Sequence, residues 1–376
     1  MAETQRITIK DARGTLNVVF SEATAQQDKI RCAKLASTAF GKSLTPEGYL
    51  EREDYLAKQP LARGTGWRWW YLTLADDPEQ VLAMCKTMHR DLLVRDGSAM
   101  GEKSSVRQEQ GYCICSVVTS SSYRGRGLAS IMLKAVAKWL DGPGNATASI
   151  LYSDVGDFYV SKGWNMLDSF ESILTVPQTL PSKEQAQFPE TRPLTSDDIP
   201  RLCERDVESL KEYFRGYDLP NGSVLVTVLP TADMINWLQS RIEYMNHQSK
   251  GKSPEVKGSI CESADSWLYW YPDLRHEKIT IQRVKLPRGQ DVATSTRVLA
   301  RLLFDAIEEA SKWNLSEVDM WNPTPELHAA MDFLSSELGI KVTHRTREKE
   351  HIPCLRWRGG ENKSVIVSPN EMYPWS

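Results

Sequence analysis

The sequence predicts an α/β protein with mixed (α+β) sheets and two domains. The chain has 376 residues, well above the roughly 150 residues of one typical domain. Strand-like runs and helical patterns alternate between residues 80 and 176, and the same order of elements recurs between residues 267 and 357. Between these halves, residues 177–200 contain five prolines and few large apolar side chains, which is typical of a linker. We therefore predict domains at 1–180 and 199–376, joined by a linker at 181–198.

The elements of the first domain follow from apolar runs and from apolar spacing. Short apolar runs predict strands at 7–9, 16–20, 67–74, 80–94, 111–119, 148–152 and 170–176. Apolar side chains at three- and four-residue intervals predict helices at 28–40, 127–140 and 155–162. The polar residues 95–110 predict a long loop before the central strand 111–119.

The second domain repeats part of this order. The predicted helices are 199–215, 232–246, 291–313 and 325–338. The predicted strands are 267–271, 278–286, 317–321, 341–344 and 351–357. The repetition indicates a structural duplication with little sequence identity, although coincidence remains the alternative.

Composition excludes several classes of function. The net charge of −3 gives no basic field of the kind that draws nucleic acid or an anionic membrane. No apolar run reaches the roughly 18 residues of a membrane-spanning helix, and the first ten residues lack the core of a signal peptide. The seven cysteines include no CxxC pair, so neither a disulfide framework nor a metal site is indicated. We expect a soluble cytoplasmic protein.

The segment SSSYRGRGLAS, residues 120–130, carries the most chemical information. It lies between the predicted central strand and the strongest amphipathic helix, and it contains the pattern Arg124-x-x-Gly127-x-Ala129. Glycines at 125 and 127 let backbone N–H groups approach an anion, and the helix start adds unpaired N–H groups and a positive dipole end. A phosphate or pyrophosphate fits such a turn.

This turn resembles the acyl-CoA signature of the GCN5-related N-acetyltransferases. A second segment, LYSDVGDFYVSKGW at 151–164, is similar to that family's second motif, a short strand and helix ending in Phe158-Tyr159 and Gly163-Trp164. The resemblance implies that family's fold for the first domain and acetyl-CoA as co-substrate, with no metal. The corresponding turn of the second half, residues 286–291, lacks the pattern, so we expect a degenerate acetyltransferase-like domain that shapes the substrate cleft.

The resemblance also implies roles for individual residues. The end of the central strand would contact the pantetheine arm through Val117, Val118 and Thr119. The turn and helix start would hold the pyrophosphate through backbone amides of Arg124, Gly125, Arg126, Gly127, Leu128, Ala129 and Ser130. Tyr159 occupies the position of a tyrosine that protonates the departing thiolate, with a core tyrosine as the alternative. The asparagine common in the second motif is absent from residues 151–154, which puts its pantetheine contact in doubt.

The general base is not specified by the motifs, because the central strand carries no carboxylate at the family position. His89, on the neighbouring strand, is the main candidate for a catalytic base. Glu109 and Tyr123 are further candidates. For all three, a structural or solvated side chain is the alternative.

Three other features bear on the substrate. Trp67, Trp69 and Tyr71 share one face of a strand and form either core or a wall around an aliphatic amine. In the second half, Asp319 or His328 is available to contact substrate, although their spacing does not distinguish them. The aromatic tail, residues 372–376, either folds back into the cleft or frays.

The whole chain resembles fungal acetyltransferases that act on the ε-amine of free lysine, a step of lysine breakdown. The resemblance implies L-lysine as the small-molecule partner, bound through a carboxylate and an arginine that the sequence does not identify. A protein or peptide N-acetyltransferase and a non-enzymatic acyl-CoA sensor are the alternatives. The oligomeric state stays open. Removal of residues 190–376 should leave CoA binding intact and remove the selectivity for the amine.

Overall fold

The computed structural model describes residues 4–97, 105–358 and 363–376. Part of the predicted loop at 95–110 therefore lies outside the described residues. The helices are α1 Gln26–Phe40, α2 Pro46–Ala57, α3 Leu128–Asp141, α4 Ile199–Gly216, α5 Ala232–Lys250, α6 Val292–Lys312 and α7 Pro325–Leu338. Within the described part of the chain, no helix is long and apolar enough to cross a bilayer.

The described strands form two sheets. The strands are β1 Gln5–Asp11, β2 Gly14–Glu22, β3 Trp67–Leu74, β4 Val81–Asp96, β5 Arg107–Thr119, β6 Ala148–Ser153, β7 Asn165–Met166, β8 Phe170–Thr175, β9 Arg192–Leu194, β10 Ser223–Val228, β11 Gly258–Cys261, β12 Ser266–Asp273, β13 Lys278–Lys285, β14 Glu317–Trp321, β15 Val342–Thr346, β16 Ile352–Trp357 and β17 Ser364–Val367. The first sheet has the order β1-β2-β3-β4-β5-β6-β16-β7, with β10 and β17 added beside β4, and the second has the order β15-β8-β14-β13-β12-β11-β9. The mixed α/β fold predicted from the sequence is confirmed.

The first sheet is covered on both faces. Helix α3 places Met132, Leu133 and Val136 against one face, as its amphipathic spacing predicts. Helices α1 and α2 cover the opposite face beside the tryptophans of β3. Trp67 and Trp69 point to this second face, whereas Trp70 points to the α3 side, because side chains alternate along a strand.

The two halves have the same strand topology and exchange one strand. In the first sheet β5 runs parallel to β6, which pairs antiparallel with β16 and through it with β7. In the second sheet β13 runs parallel to β14, which pairs antiparallel with β8 and through it with β15. Strand β16 comes from the second half of the chain and β8 from the first. Each sheet therefore contains one strand from the other half of the chain. The domain boundaries 1–180 and 199–376 stay a prediction about which segments fold as units.

One face of the second sheet lies against the first half. Val318 and Met320 of β14 point toward α6 and α7 and join their core. The alternate residues Asp319 and Trp321 point the other way, and Trp321 belongs to a cluster that also contains Val118 of the central strand. The second sheet thus brings side chains to the face of β5 opposite α3.

The aromatic tail is folded into the molecule. Met372 and Tyr373 are 2% and 0% exposed. The Tyr373 hydroxyl donates to the carbonyl oxygen of Val228 at 2.5 Å, and Arg90 donates Nη2 to the carbonyl oxygen of Pro374 at 2.9 Å. The sequence left two alternatives for residues 372–376, a tail that folds back and a frayed tail, and the structure shows a tail that folds back.

Candidate active site

The central strand β5 loses its parallel neighbour halfway along its length. The last pair between β5 and β6 joins Ile114 to Leu151, whereas β5 continues to Thr119 against β4 alone. A bulge at Ser116, whose φ is +54°, bends β5 where the strands separate. No described strand pairs with the β6 side of residues 115–119, so this stretch of edge is available to a ligand, although the carbonyl oxygen of Thr119 accepts from Nε of Arg124 at 3.3 Å. Three residues predicted to contact pantetheine lie in this open edge: Val117, Val118 and Thr119.

The glycine turn after β5 leads directly into α3. Gly125 and Gly127 have φ values of +79° and +73°, which glycine adopts without strain. Gly127 precedes the first residue of α3 and provides no side-chain cap, and a Cβ added there would meet no atom within 4 Å. The first amides of α3 therefore face open space at the positive end of the helix dipole.

Arginines border this turn. Arg13, from the turn between β1 and β2, donates Nη1 to the carbonyl oxygen of Arg124 at 3.0 Å. The side chain of Arg126 pairs with Asp11 at 2.6 Å, so it faces away from the turn and leaves its backbone amide for a ligand. The guanidinium group of Arg13 and the amides of residues 124–130 border this turn, and this arrangement fits a pyrophosphate.

The equivalent turn in the second half is blocked by a carboxylate. Helix α6 starts after Asp291, whose Oδ1 accepts from the backbone N–H of Thr294 at 2.9 Å. The carboxylate thus satisfies a helix N–H group that is free in α3, and its charge repels an anion. This geometry agrees with the prediction that the second half does not bind acyl-CoA through this turn.

Tyr159 lies beside the start of α3. It belongs to the 3₁₀ turn Gly156–Lys162, is 8% exposed, and shares a buried cluster with Leu128 and Met132. Burial raises the pKa of its hydroxyl, so the proton stays in place at neutral pH. The geometry is compatible both with the predicted proton donor and with a core tyrosine, and the catalytic role stays a prediction.

His89 lies away from the open edge of β5. It pairs with Tyr112 across the sheet, five residues before Val117, which corresponds to about 16 Å along a strand. Its Nε2 lies 3.1 Å from Oδ1 of Asp91. The structure therefore does not bring His89 to the predicted pantetheine contacts, and its role as base stays a prediction without geometric support.

The other two candidate bases are also occupied elsewhere. Glu109 accepts from Nε of Arg107 at 2.9 Å, near the start of β5. The Tyr123 hydroxyl donates to the side chain of Gln80 at 3.2 Å in the glycine turn. Neither side chain reaches the face of β5 that the second sheet covers.

Sequence reasoning missed a buried group of charges on that face. The Glu53 carboxylate of α2 accepts from Nζ of Lys86 and, at 2.7 Å, from Nη2 of Arg52. Nζ of Lys86 also lies 4.5 Å and 3.9 Å from the ring centroids of Trp67 and Trp69. Trp67 and Trp69 thus form an aromatic wall beside an ammonium group, as the substrate alternative predicted. The ammonium group, however, is that of Lys86 and not that of a ligand.

The surroundings favour the charged form of Glu53, whereas burial lowers the pKa of Lys86. Burial alone would raise the pKa of Glu53, but the positive charges of Lys86 and Arg52 outweigh burial and hold the pKa below its usual value. The sequence contained a signal for this residue: Tyr49, Glu53 and Leu56 fall on one helical stripe, so a carboxylate lies on the buried face of α2.

A cleft of about 710 Å³ opens between α1, α2 and β3, with Glu53, Trp67 and Trp69 among its lining residues. Lys86 is on β4 and pairs with Cys115 of β5, so it stands between this cleft and the open edge of β5. The Lys86 side chain is 2% exposed and makes the ion pair with Glu53.

Aromatic rings from the second half cover the mouth where β5 and β6 separate. Tyr152 follows the last paired residue of β6, and its ring lies 5.9 Å from that of Trp321. Trp321 stacks on His351 at 5.7 Å, and Nε1 of Trp375 donates to Nδ1 of His351 at 3.3 Å. The acceptor side of the site is thus enclosed by β14, the residue before β16 and the tail.

Two family models match separate parts of the chain. A family model described as the LYC1 GNAT-like C-terminal domain matches residues 175–376, and one described as the Acetyltransferase (GNAT) family matches residues 34–157. A protein named lysine acetyltransferase from Yarrowia lipolytica is 21% identical to this chain over 368 residues, covering 86% of this chain and 90% of that protein.

Solved structures are similar in fold. A GCN5-related N-acetyltransferase from Kribbella flavida has a TM-score of 0.51 and 14% identity, covering 90% of this chain and 72% of its own. Eis1 from Mycobacterium abscessus has a TM-score of 0.52 and 10% identity, covering 91% and 73%. At these identities the likeness concerns the fold.

Proposed function

The chain belongs to the family defined by the LYC1 GNAT-like C-terminal domain, and we propose that it transfers an acetyl group from acetyl-CoA to the ε-amine of free L-lysine. It is an acetyltransferase of the GNAT type, a group that uses acetyl-CoA. The choice of lysine is supported by the printed name of the Yarrowia lipolytica relative and by the enclosed acceptor side of the site.

The observation that carries the proposal is this enclosure. The rings of Tyr152 and Trp321 lie 5.9 Å apart across the two halves, and His351 and Trp375 close the same side. A small amine with a narrow aliphatic chain suits such an aromatic passage.

The residues of the first half suit acetyl-CoA. The amides of residues 124–130 bind the pyrophosphate, and the open edge of β5 holds the pantetheine arm by backbone hydrogen bonds. Acetyl-CoA supplies the activated thioester. Backbone N–H near Val118 polarises its carbonyl, and the Tyr159 hydroxyl donates its proton to the sulfur that departs. The proton that the nitrogen loses when the amide forms restores the Tyr159 hydroxyl, so the step balances.

The amine must arrive without its proton. The mouth of the site is lined by Tyr152, Trp321 and Met372, and desolvation by such side chains lowers the pKa of an amine. Burial therefore favours the neutral nucleophile even though the three predicted bases lie elsewhere.

The test is CoA release from acetyl-CoA with a panel of free amino acids, polyamines and short lysine peptides, followed by mass analysis of the product. We expect saturable turnover on L-lysine and the N6-acetyl product. Turnover on peptides alone would replace the proposal with a protein acetyltransferase. Binding of acetyl-CoA without turnover on any amine would indicate a sensor.

We also propose that the protein acts in the cytoplasm in lysine breakdown. Cell fractionation with an antibody to the native chain tests the location. Growth of a deletion strain on lysine as nitrogen source tests the pathway, and normal growth would contradict it.

A further inference from the structure

Unpaired polar atoms converge between the second sheet and the first half. Each is buried and has no hydrogen-bond partner within the described part of the chain. Because buried polar atoms are nearly always satisfied, such a group indicates a missing ligand or water. The atoms are the Tyr152 hydroxyl, Oδ1 of Asp319, Nε1 of Trp321, and Nε and Nη2 of Arg347.

Asp319 supplies the negative charge of this group. It is 1% exposed, and its Oδ2 accepts from Nζ of Lys278 at 2.8 Å. Its other oxygen, Oδ1, has no cationic partner and lies on the side of the Thr280 hydroxyl, across the strand pair. Burial raises the pKa of this carboxyl, although Lys278 and the Thr280 hydroxyl oppose the shift. A buried carboxylate with one oxygen that meets no cation favours a further cation or N–H donor.

Arg347 supplies the positive charge. Its guanidinium carbon lies 3.7 Å from the centroid of the Trp321 ring, and Nη1 donates to the carbonyl oxygen of His351 at 2.9 Å. These contacts fix the plane of the guanidinium group. Nε and Nη2 form its remaining edge, are buried and have no acceptor. Two parallel N–H groups on one edge match the two oxygens of a carboxylate.

Arg347 and Asp319 lie near each other but form no ion pair with each other. Burial lowers the pKa of Arg347, and the charges of Glu171 and, more weakly, of Asp319 oppose that effect. Arg347 nevertheless makes no ion pair with Asp319, whose described ion pair is with Lys278. The neighbouring Glu171 is bound to Arg345 at 2.5 Å. A ligand that carries both an ammonium and a carboxylate would pair with Oδ1 of Asp319 and with Nε and Nη2 of Arg347 at once.

We infer that Arg347 and Asp319 form the receptor for the zwitterionic head of an α-amino acid, with the α-carboxylate on Nε and Nη2 of Arg347 and the α-ammonium on Oδ1 of Asp319. The inference rests on the proposed function and specifies its substrate class. Arg347 and Asp319 come from the second half of the chain, which thereby becomes the part that selects the substrate.

The position of this receptor suits an amine on a short aliphatic chain. Trp321 contacts Arg347 on one side, and its ring lies 5.9 Å from Tyr152 on the other. Tyr152 stands where β5 and β6 separate. An extended lysine side chain spans roughly 6 Å from Cα to Nζ, given C–C bonds of about 1.5 Å. The side chain would therefore pass Trp321 and place its amine at the open edge of β5.

The experiment compares three amines on the full-length protein. L-lysine has both head groups, cadaverine lacks the carboxylate, and Nα-acetyl-L-lysine lacks the α-ammonium. The variants are Arg347→Lys, which keeps the charge but loses the two-point edge, and Asp319→Asn. The controls are Arg345→Lys, whose side chain is 56% exposed, and Glu317→Gln on the same face of β14.

We expect the KM for L-lysine to rise about 10- to 100-fold in Arg347→Lys and in Asp319→Asn, as for loss of a charged hydrogen bond. Turnover of cadaverine should be unchanged by Arg347→Lys, and that of Nα-acetyl-L-lysine by Asp319→Asn. Affinity for acetyl-CoA should stay at the wild-type value, and both controls should behave as wild type.

Equal losses on all three amines would assign a structural role and overturn the inference, as would an unchanged KM for L-lysine. If Asp319→Asn does not fold because Lys278 loses its partner, the KM values of Arg347→Lys for L-lysine and cadaverine decide whether the inference holds. If the wild-type protein acetylates ornithine but not lysine, the proposed function is wrong, whereas the inference about the α-amino acid head stands. Activity confined to amines without an α-amino acid head would overturn both.

Discussion

Gly127 has a positive φ angle and no side chain, and both features matter for the ligand site. Its φ of +73° is in the left-handed region, and the space beside its Cα is open to the first amides of α3. Glycine is required here for the ligand rather than for packing, because an added Cβ would meet no protein atom.

Gly127→Asp should weaken acetyl-CoA binding by at least about 100-fold, because a carboxylate would stand against the pyrophosphate. Isothermal titration with acetyl-CoA measures the effect. Gly289→Asp is the matched control, since Gly289 has a φ of +70° and open space in the equivalent turn of the second half. Equal losses in both variants would show that backbone strain, and not the ligand site, is responsible.

Tyr159→Phe should lower kcat about 100-fold or more and leave acetyl-CoA affinity unchanged, because the phenol donates a proton and burial keeps it protonated. Steady-state kinetics and titration measure the two quantities. Tyr112→Phe, in the same buried cluster at 8% exposure, should keep wild-type kcat. An unchanged kcat for Tyr159→Phe would leave Tyr159 as a core residue.

At the scale of elements, helix α2 carries a carboxylate into the core. Glu53 and Lys86 are 6% and 1% exposed, so each depends on the other for its charge. Glu53→Gln should destabilise the protein by about 3–5 kcal/mol, because it leaves Lys86 buried without a counter-charge. The free energy of unfolding in urea measures the loss.

The matched variant for this prediction is the double substitution Glu53→Gln with Lys86→Met. It removes both charges and should recover most of the stability lost in the single variant. A double variant as unstable as Glu53→Gln alone would mean that the ion pair is not the cause.

The same pair gives a pH dependence. The folded pKa of Glu53 is below its usual 4.5, so its contribution to stability is complete above about pH 4.5 and is lost as pH falls through the folded pKa. The unfolding free energy of wild type should fall relative to that of the double variant in that acid range. A difference that is constant down to acid unfolding would contradict the lowered pKa.

At the scale of the whole molecule, the exchange of β8 and β16 makes the halves dependent on each other. Without residues 190–376, β6 loses its neighbour β16, and Ile352 and Cys354 leave the core of the first sheet. The structure therefore gives the opposite expectation to independent folding: residues 1–182 alone should aggregate or remain unfolded.

Coexpression tests this expectation. Residues 1–182 and 183–376, produced together, should copurify and bind acetyl-CoA, because each fragment carries the strand that the other sheet lacks. Circular dichroism and titration on each fragment alone provide the comparison. A soluble 1–182 fragment that binds acetyl-CoA with full affinity would refute the dependence.

Local sequence was sufficient for the features that depend on neighbours along the chain. The amphipathic spacing of 127–140 predicts α3, and glycines at 125 and 127 predict the phosphate turn, because both depend on residues a few positions apart. The alternation of strands and helices likewise predicts the α/β class. The matches to the GNAT family models confirm that resemblance.

Tertiary structure alone decided the features that depend on distant contacts. Glu53 meets Lys86 across 33 residues, and Tyr152 meets Trp321 across the two halves. Nothing in local spacing distinguished Asp319 from His328, or predicted that β8 and β16 change sheets. Strand pairing is chosen by the burial of whole faces and by hydrogen bonds between distant segments, and neither leaves a periodic signal in the segment itself.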